Sequence, residues 1–65
     1  MQKTIINIRR SSANNSLLEK IKVGDLVSDE FGKSGKVKNI ERIERSSEVH
    51  YYFHLDKAGT LLIIV

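Results

Sequence analysis

The segment Lys22–Ile43 constrains the fold more than any other part of this chain, and it reads KVGDLVSDEFGKSGKVKNIERI. Gly24 accepts a positive φ and Asp25 can hydrogen-bond its own downstream backbone, so a strand over Val23–Val27 is predicted to begin through a turn. A polar loop over Ser28–Ser34 separates this strand from the next one. Short strands punctuated by glycine in this way are how a small five-stranded barrel begins.

Apolar residues recur at every third position in the second of these strands. Val37, Ile40 and Ile43 fit neither strict strand alternation nor a helical face. A β-bulge would reconcile them, because one extra residue resets which face of the strand points inward. Sharp bends of this kind help to close small barrels.

The C-terminal part of the chain predicts two further strands. Apolar and polar residues alternate strictly over Val49–Leu55, so Val49, Tyr51, Phe53 and Leu55 are expected in the core. A turn over Asp56–Gly59 leads into Thr60–Val65, which is so apolar that both of its faces are expected to be covered.

The N-terminal residues 1–15 are interpreted as an arm in front of a barrel over residues 16–65. Thr4–Arg9 is rich in β-branched residues and predicts a strand, and the polar run Ser11–Asn15 releases the chain from it. Such a tethered strand could complete its own barrel or that of a second copy, so a homodimer through this strand is a further expectation.

A short helix is predicted after this linker. Ser16 and Glu19 have the spacing of a capping box, which predicts one or two helical turns to about Ile21. The alternative is an extended lead-in to the next strand.

The size and composition of the chain limit the class of protein. A single domain of 65 residues supplies only about 3 to 5 kcal/mol of core stability. The chain has no cysteine, and its longest apolar run, Leu61–Val65, is far too short to cross a bilayer. We therefore expect a soluble cytoplasmic protein without a leader sequence.

The net charge of +3 is unevenly distributed along the chain. Residues 1–22 carry five bases against one acid, whereas residues 23–65 carry six bases against seven acids. The basic excess of the N-terminal segment is interpreted first as an aid to solubility and second as a contact for nucleic acid.

Taken together, these patterns predict an all-β fold, a small SH3-like open barrel of five or six strands with at most one short helical turn near residues 16–21. The pattern Val23-Gly24-Asp25-x-Val27, then Phe31-Gly32-x-x-Gly35-x-Val37-x-x-Ile40, then an aromatic strand and a Leu-rich final strand, resembles Tudor-like barrels of bacterial transcription proteins. The closest resemblance is to the RNA-polymerase-interacting domain of CarD-type regulators and transcription-repair coupling factors. The C-terminal domain of UvrD/PcrA-type helicases and the KOW module are similar in pattern.

The resemblance implies a non-enzymatic interaction module, of bacterial or phage origin, that binds RNA polymerase through strand addition. An open barrel presents an exposed strand edge, and a partner strand can pair with it through main-chain hydrogen bonds. The residues expected to form this contact lie between Lys38 and Glu48, and they are Lys38, Ile40, Arg42, Glu44 and Arg45.

Two alternatives remain open on the sequence. The first is a nucleic-acid-binding barrel, in which bases around a loop and an outward aromatic ring contact phosphates and bases. Its candidate residues are Arg9, Arg10, Lys33, Lys36, Lys38 and Tyr52. The second is an oligomeric enzyme built from such barrels, as in plasmid-type dihydrofolate reductases, whose active-site signature is absent from the sequence.

The sequence suggests no catalytic residue, cofactor or metal site. His50 and His54 share one face of a strand but would stand about 13 Å apart, which is too far to share an ion. The run Gly32–Gly35 superficially resembles a phosphate-binding loop, but the glycine five residues before the lysine and the long following helix are missing.

Overall fold

A computed structural model describes residues 4–65 of the chain as five strands and one short helix. These elements are β1 (Ile5–Ile8), α1 (Asn15–Glu19), β2 (Leu26–Asp29), β3 (Ser34–Glu44), β4 (Val49–Leu55) and β5 (Thr60–Ile64). The strands form one sheet in sequence order, parallel between β1 and β2 and antiparallel between all other neighbours. The predicted all-β class is confirmed, and so is the strand expected over Thr4–Arg9.

The expected bulge is present in β3. The pairing with β4 shifts between Val37, which lies opposite Leu55, and Asn39, which lies opposite His54. The extra residue, Lys38, lets Val37 and Ile40 point to the same face although they are three positions apart. Ile43 does not follow them. Its side chain is 40% exposed on the other face of the sheet, so its place in the apolar triplet was wrongly interpreted as a core position.

The core lies on one face of the sheet, and half of its buried apolar residues come from β4 and β5. The alternation predicted over Val49–Leu55 is confirmed, and Phe53 at its centre is fully buried between Ile40 and Leu61 of the neighbouring strands. The buried apolar residues are Ile8, Leu18, Ile21, Val27, Val37, Tyr51, Phe53, Leu55, Leu61 and Ile63. Because Ile8 is among them, β1 belongs to the same core as the other strands.

The final strand β5 is covered on one face only, contrary to the prediction. Leu61 and Ile63 are buried, whereas Leu62 and Ile64 are 38% and 45% exposed. The apolar run was interpreted as a doubly covered strand, but the outer face of β3, β4 and β5 faces solvent. This outer face therefore carries apolar side chains without a covering layer in the described part of the chain.

The helix begins two residues earlier than the sequence suggested. Its N-cap is Asn14, whose Oδ1 accepts the Leu17 N–H at 2.9 Å, and the helix ends at Glu19 instead of reaching Ile21. The capping box at Ser16 was therefore wrong. The run SSANNS offers several residues that can cap a helix, and the sequence alone does not rank them.

The strand predicted over Val23–Val27 begins later, at Leu26. The preceding residues form a turn in which Gly24 has the expected positive φ of 99° and Val23 is 62% exposed. Asp25 accepts the N–H of Lys22 at 2.9 Å, so it bonds upstream backbone and not downstream backbone. The following strand runs on to Asp29, which shortens the loop expected over Ser28–Ser34.

Arg10 links the two ends of the sheet. It follows β1, and its Nε donates to the carbonyl of Leu62 on β5 at 3.2 Å. Its Nη1 contacts Asp29 at 3.2 Å and Glu30 at 2.9 Å, and its guanidinium lies over the ring of Phe31. The first and last strands are thus held near each other by one side chain.

Within residues 4–65, no helix combines the length and the apolar character needed to cross a membrane.

Candidate protein-interaction edge

Strand β3 is much longer than the strand beside it, and this leaves part of it with one neighbour. β2 pairs with β3 only at Ser34, Gly35 and Lys36. From Asn39 to Glu44, β3 pairs with β4 alone in the described part of the chain. The opposite side of residues 40–44 is therefore an open strand edge, which we call the β3 edge.

The direction of the main-chain groups along the β3 edge follows from the alternation of antiparallel pairing. Arg45 donates its N–H to the carbonyl of Glu48 at 2.7 Å, which directs residue 45 towards β4. Every second residue before it also faces β4, so Ile40, Arg42 and Glu44 direct their N–H and C=O groups outward. The N–H of Ile40 is occupied by Oδ1 of Asn39 at 2.9 Å. The main-chain groups of Arg42 and Glu44 remain as the pairing groups of the edge.

The side chain of Arg42 is held in place beside this edge. Its Nε donates to the hydroxyl of Tyr51 at 3.2 Å, and its Nη2 lies 2.9 Å from the carboxylate of Glu44. Tyr51 in turn donates to Oδ1 of Asn15 at 2.9 Å, which connects the strand pair to the start of α1. The hydrogen bond with Tyr51, and then the contact with Glu44, raise the pKa of Arg42 further above its already high value. The edge therefore carries a fixed positive charge next to a carboxylate that is 68% exposed.

The structure brings most of the predicted protein-binding residues together. Ile40, Arg42 and Glu44 are consecutive outward positions of the β3 edge, and Arg45 follows directly at the β3–β4 turn. Lys38 is the bulged residue at the other end of the edge. The role of the five residues in binding stays a prediction, but the placement of Ile40, Arg42 and Glu44 on one strand edge is a property of the fold.

The residues predicted for nucleic acid lie on several parts of the molecule. Arg10 is engaged at the sheet ends, and Nζ of Lys33 donates to the carbonyl of Thr60 at 3.2 Å. Arg9 and Lys36 are exposed. Tyr52 lies on the outer face of β4, and its cross-strand neighbours are Glu41 and Leu62.

The two histidines on the outer face each contact a carboxylate. His50 Nε2 lies 3.1 Å from Oε1 of Glu48, and His54 Nε2 lies 2.7 Å from Oε1 of Glu41. His54 also shares a hydrogen bond with the hydroxyl of Thr60 at 3.0 Å. Over residues 4–65, no three potential ligands converge on a common metal position.

Asp29 is a structural residue that the sequence reasoning placed in a polar loop. Its Oδ1 accepts the N–H groups of Phe31 and Lys33 at 3.0 and 2.8 Å, and its Oδ2 contacts Arg10. Burial acts to raise the pKa of Asp29, but the hydrogen bonds from Lys33, Arg10 and Phe31 outweigh it and leave the pKa below its ordinary value. The signal in the sequence was the position of this carboxylate three residues before a glycine, which is typical of a side chain that closes a turn.

Comparisons with protein-family models, curated proteins and solved structures found no match to this chain.

Proposed function

We propose that this chain is a non-enzymatic protein-interaction module of the cytoplasm that binds an extended segment of a partner along the β3 edge. The observation that carries the proposal is the open side of β3 between Ile40 and Glu44, where the main-chain groups of Arg42 and Glu44 face outward. A partner strand that pairs there would form main-chain hydrogen bonds without displacing any strand of the sheet.

The partner proposed is a component of the bacterial or phage transcription machinery, with RNA polymerase as the first to be tested. This part of the proposal is supported by the resemblance of the Gly-Asp-x-Val and Gly-x-x-Gly-x-Val pattern to polymerase-interacting barrels. The alternating charges along the edge would select the register of the partner strand, because opposite charges in facing positions favour one alignment.

Nucleic-acid binding remains the alternative, and the structure offers less support for it. Two of its candidate residues, Arg10 and Lys33, already use their side chains to hold β5 near the rest of the sheet. Their contacts would be lost if they turned to bind phosphate. Binding of a labelled oligonucleotide that weakens linearly with the logarithm of salt concentration would support this alternative. If no binding is seen at low salt, the alternative is excluded.

The proposal is tested by removing one outward N–H from the edge. In the Glu44→Pro variant, the proline ring replaces an N–H that faces away from β4, so the pairing within the sheet is preserved. Glu44→Ala is the matched control, since it removes the same side chain and keeps the N–H. Both variants are compared with the wild type by biolayer interferometry on immobilised RNA polymerase core enzyme from a bacterium.

We expect Glu44→Pro to bind at least about tenfold more weakly than Glu44→Ala, which corresponds to the loss of roughly one hydrogen bond. Circular dichroism establishes that both variants are folded. If the two variants bind equally, strand pairing at the β3 edge is wrong. If the wild type does not bind the polymerase at all, the partner assignment is wrong.

A further inference from the structure

The charged residues at the end of β3 are complementary to those of a second copy of the same segment that runs in the opposite direction. From residue 41 to residue 45 the chain reads Glu-Arg-Ile-Glu-Arg. When this segment is laid antiparallel to a second copy of itself with Ile43 at the centre, Arg42 faces Glu44 of the other copy and Glu41 faces Arg45. Each of these two pairs occurs twice because of the twofold symmetry, and all four charged pairs are of opposite sign.

The direction of the main-chain groups is compatible with this register. Antiparallel pairing requires that both residues of a hydrogen-bonded pair direct their main chain towards the other strand. Arg42 and Glu44 are both outward positions of the β3 edge, so they form such a pair in both halves of the dimer. Ile43, Glu41 and Arg45 face β4 and occupy the positions between the hydrogen-bonded pairs. The register therefore supplies four main-chain hydrogen bonds without any change in the pairing of β3 with β4.

Neighbouring registers with the same symmetry place like charges in contact. A register centred on Arg42 brings two arginines together, and registers centred on Glu41 or Glu44 bring two glutamates together. Directly opposite like charges destabilise strand pairing. Of the registers centred on residues 41–45, the one centred on Ile43 is the only one in which no residue faces a like charge.

The outer face of the sheet gives a second argument for the same pairing. Ile43 is 40% exposed, and on the adjacent strands it lies beside His50 and, beyond it, the exposed Ile64. A twofold axis through Ile43 brings the two copies of this side chain to about 5 Å from each other at the centre of the joined sheet. An apolar side chain that the monomer leaves in solvent is thereby covered.

We propose that the β3 edge also pairs with a second copy of this chain, in the antiparallel register centred on Ile43, to form a symmetric dimer. The contact between Arg42 and Glu44 within one chain is exchanged for the same contact between chains. The dimer occupies the edge assigned above to a partner strand, so self-association and partner binding compete. The inference rests on the charge pattern and on the geometry of the edge, and it stands or fails independently of the proposed partner.

The test uses two charge-reversal variants. Two copies of the same variant should repel each other at the β3 edge, whereas one copy of each should attract. In a dimer of the Arg42→Glu variant, the new glutamate of each copy faces Glu44 of the other copy. In a dimer of the Glu44→Arg variant, the new arginine of each copy faces Arg42 of the other copy. In an equimolar mixture of the two variants, every facing pair at positions 42 and 44 is again of opposite sign. The double variant R42E/E44R also restores opposite charges when it pairs with itself. Lys57→Glu reverses the sign of an exposed residue away from the edge and serves as the control.

Association is measured by sedimentation equilibrium at protein concentrations up to about 1 mM. We expect the wild type, the Lys57→Glu control and the double variant to dimerise, and each single reversal to dimerise at least about tenfold more weakly. The mixture of the two single reversals is expected to recover the wild-type association. The proposal is overturned if the wild type is monomeric throughout this range. It is also overturned if the single reversals dimerise like the wild type, or if their mixture associates no better than either variant alone.

Discussion

Two substitutions of Asp29 separate its contributions to the free energy of unfolding. One contribution is the ion pair with Arg10, and the other is the pair of hydrogen bonds from main-chain N–H groups. Asp29→Asn keeps an oxygen that can accept the N–H groups of Phe31 and Lys33, and it replaces the oxygen that faces Arg10 by an amide. Asp29→Ala removes all three interactions. The difference between the two variants therefore isolates the two main-chain hydrogen bonds.

The expected magnitudes follow from the burial of the carboxylate. Its side chain is 3% exposed, whereas the side chain of Arg10 is 34% exposed and retains Glu30 as a partner. We expect Asp29→Asn to lower the free energy of unfolding by about 1 to 2 kcal/mol, since a hydrogen bond between charged groups is lost. Asp29→Ala also leaves two amides without acceptors and should cost about 3 to 5 kcal/mol in total. This equals the whole stability of about 3 to 5 kcal/mol expected for a domain of this size.

The pH dependence has a defined sign. The pKa of Asp29 in the folded protein lies below its ordinary value of 3.8, so the folded state binds this proton less readily than the unfolded state. The stabilisation by the carboxylate is fully present above that ordinary value and is lost as the pH falls through the lower, folded-state pKa. The gap in unfolding free energy between the wild type and Asp29→Asn should therefore be constant near neutral pH and shrink in acid.

Urea denaturation, monitored by the fluorescence of the tyrosines, measures these differences across the pH range. A wild type and an Asp29→Asn variant of equal stability at neutral pH would refute the role given to Arg10 and Asp29. A gap that persists unchanged below pH 3.8 would refute the assignment of the acid sensitivity to this carboxylate.

Four further substitutions test the local structure by the same denaturation assay. Asn14→Ala removes the helix cap and should cost about 1 kcal/mol, whereas Ser16→Ala should leave the stability unchanged. Tyr51→Phe keeps the buried ring but loses both hydrogen bonds of the hydroxyl, and a cost of about 1 to 2 kcal/mol is expected. Gly35→Ala would place a methyl group 2.9 Å from Oδ1 of Asp56 and should cost about 1 to 3 kcal/mol. Equal stability of the Asn14 and Ser16 variants, or no cost at Tyr51 or Gly35, would contradict the corresponding contact.

The sequence predicted the fold correctly where the spacing of apolar residues has a single structural interpretation. The alternation over Val49–Leu55 gave the core face of β4 because a period of two has one interpretation. The spacing of Val37 and Ile40 gave the bulge, since a strand can place both on one face only with an extra residue between them. Ile43 continued the same spacing by coincidence, and nothing in the sequence distinguished it from a core residue.

Features that depend on tertiary neighbours were beyond the reach of sequence reasoning. Asn14 and Ser16 are both competent caps, and the choice between them depends on where the chain leaves β1. The exposure of Leu62 and Ile64 depends on whether another layer covers the outer face, which local sequence does not encode. The candidate edge was expected from the resemblance to barrels that bind by strand addition, whereas its length is set by the early end of β2 at Asp29.

Hydrogen exchange at the amides of β3 tests the central claim most directly. In the free protein at low concentration, the outward amides of Arg42 and Glu44 should exchange fast, and the amides of Glu41 and Ile43, which face β4, should be protected. Added RNA polymerase core enzyme should slow the exchange at Arg42 and Glu44. If these two amides are protected in the free protein, the edge is already covered. If they stay fast in the complex, the partner binds elsewhere, and either result contradicts the account.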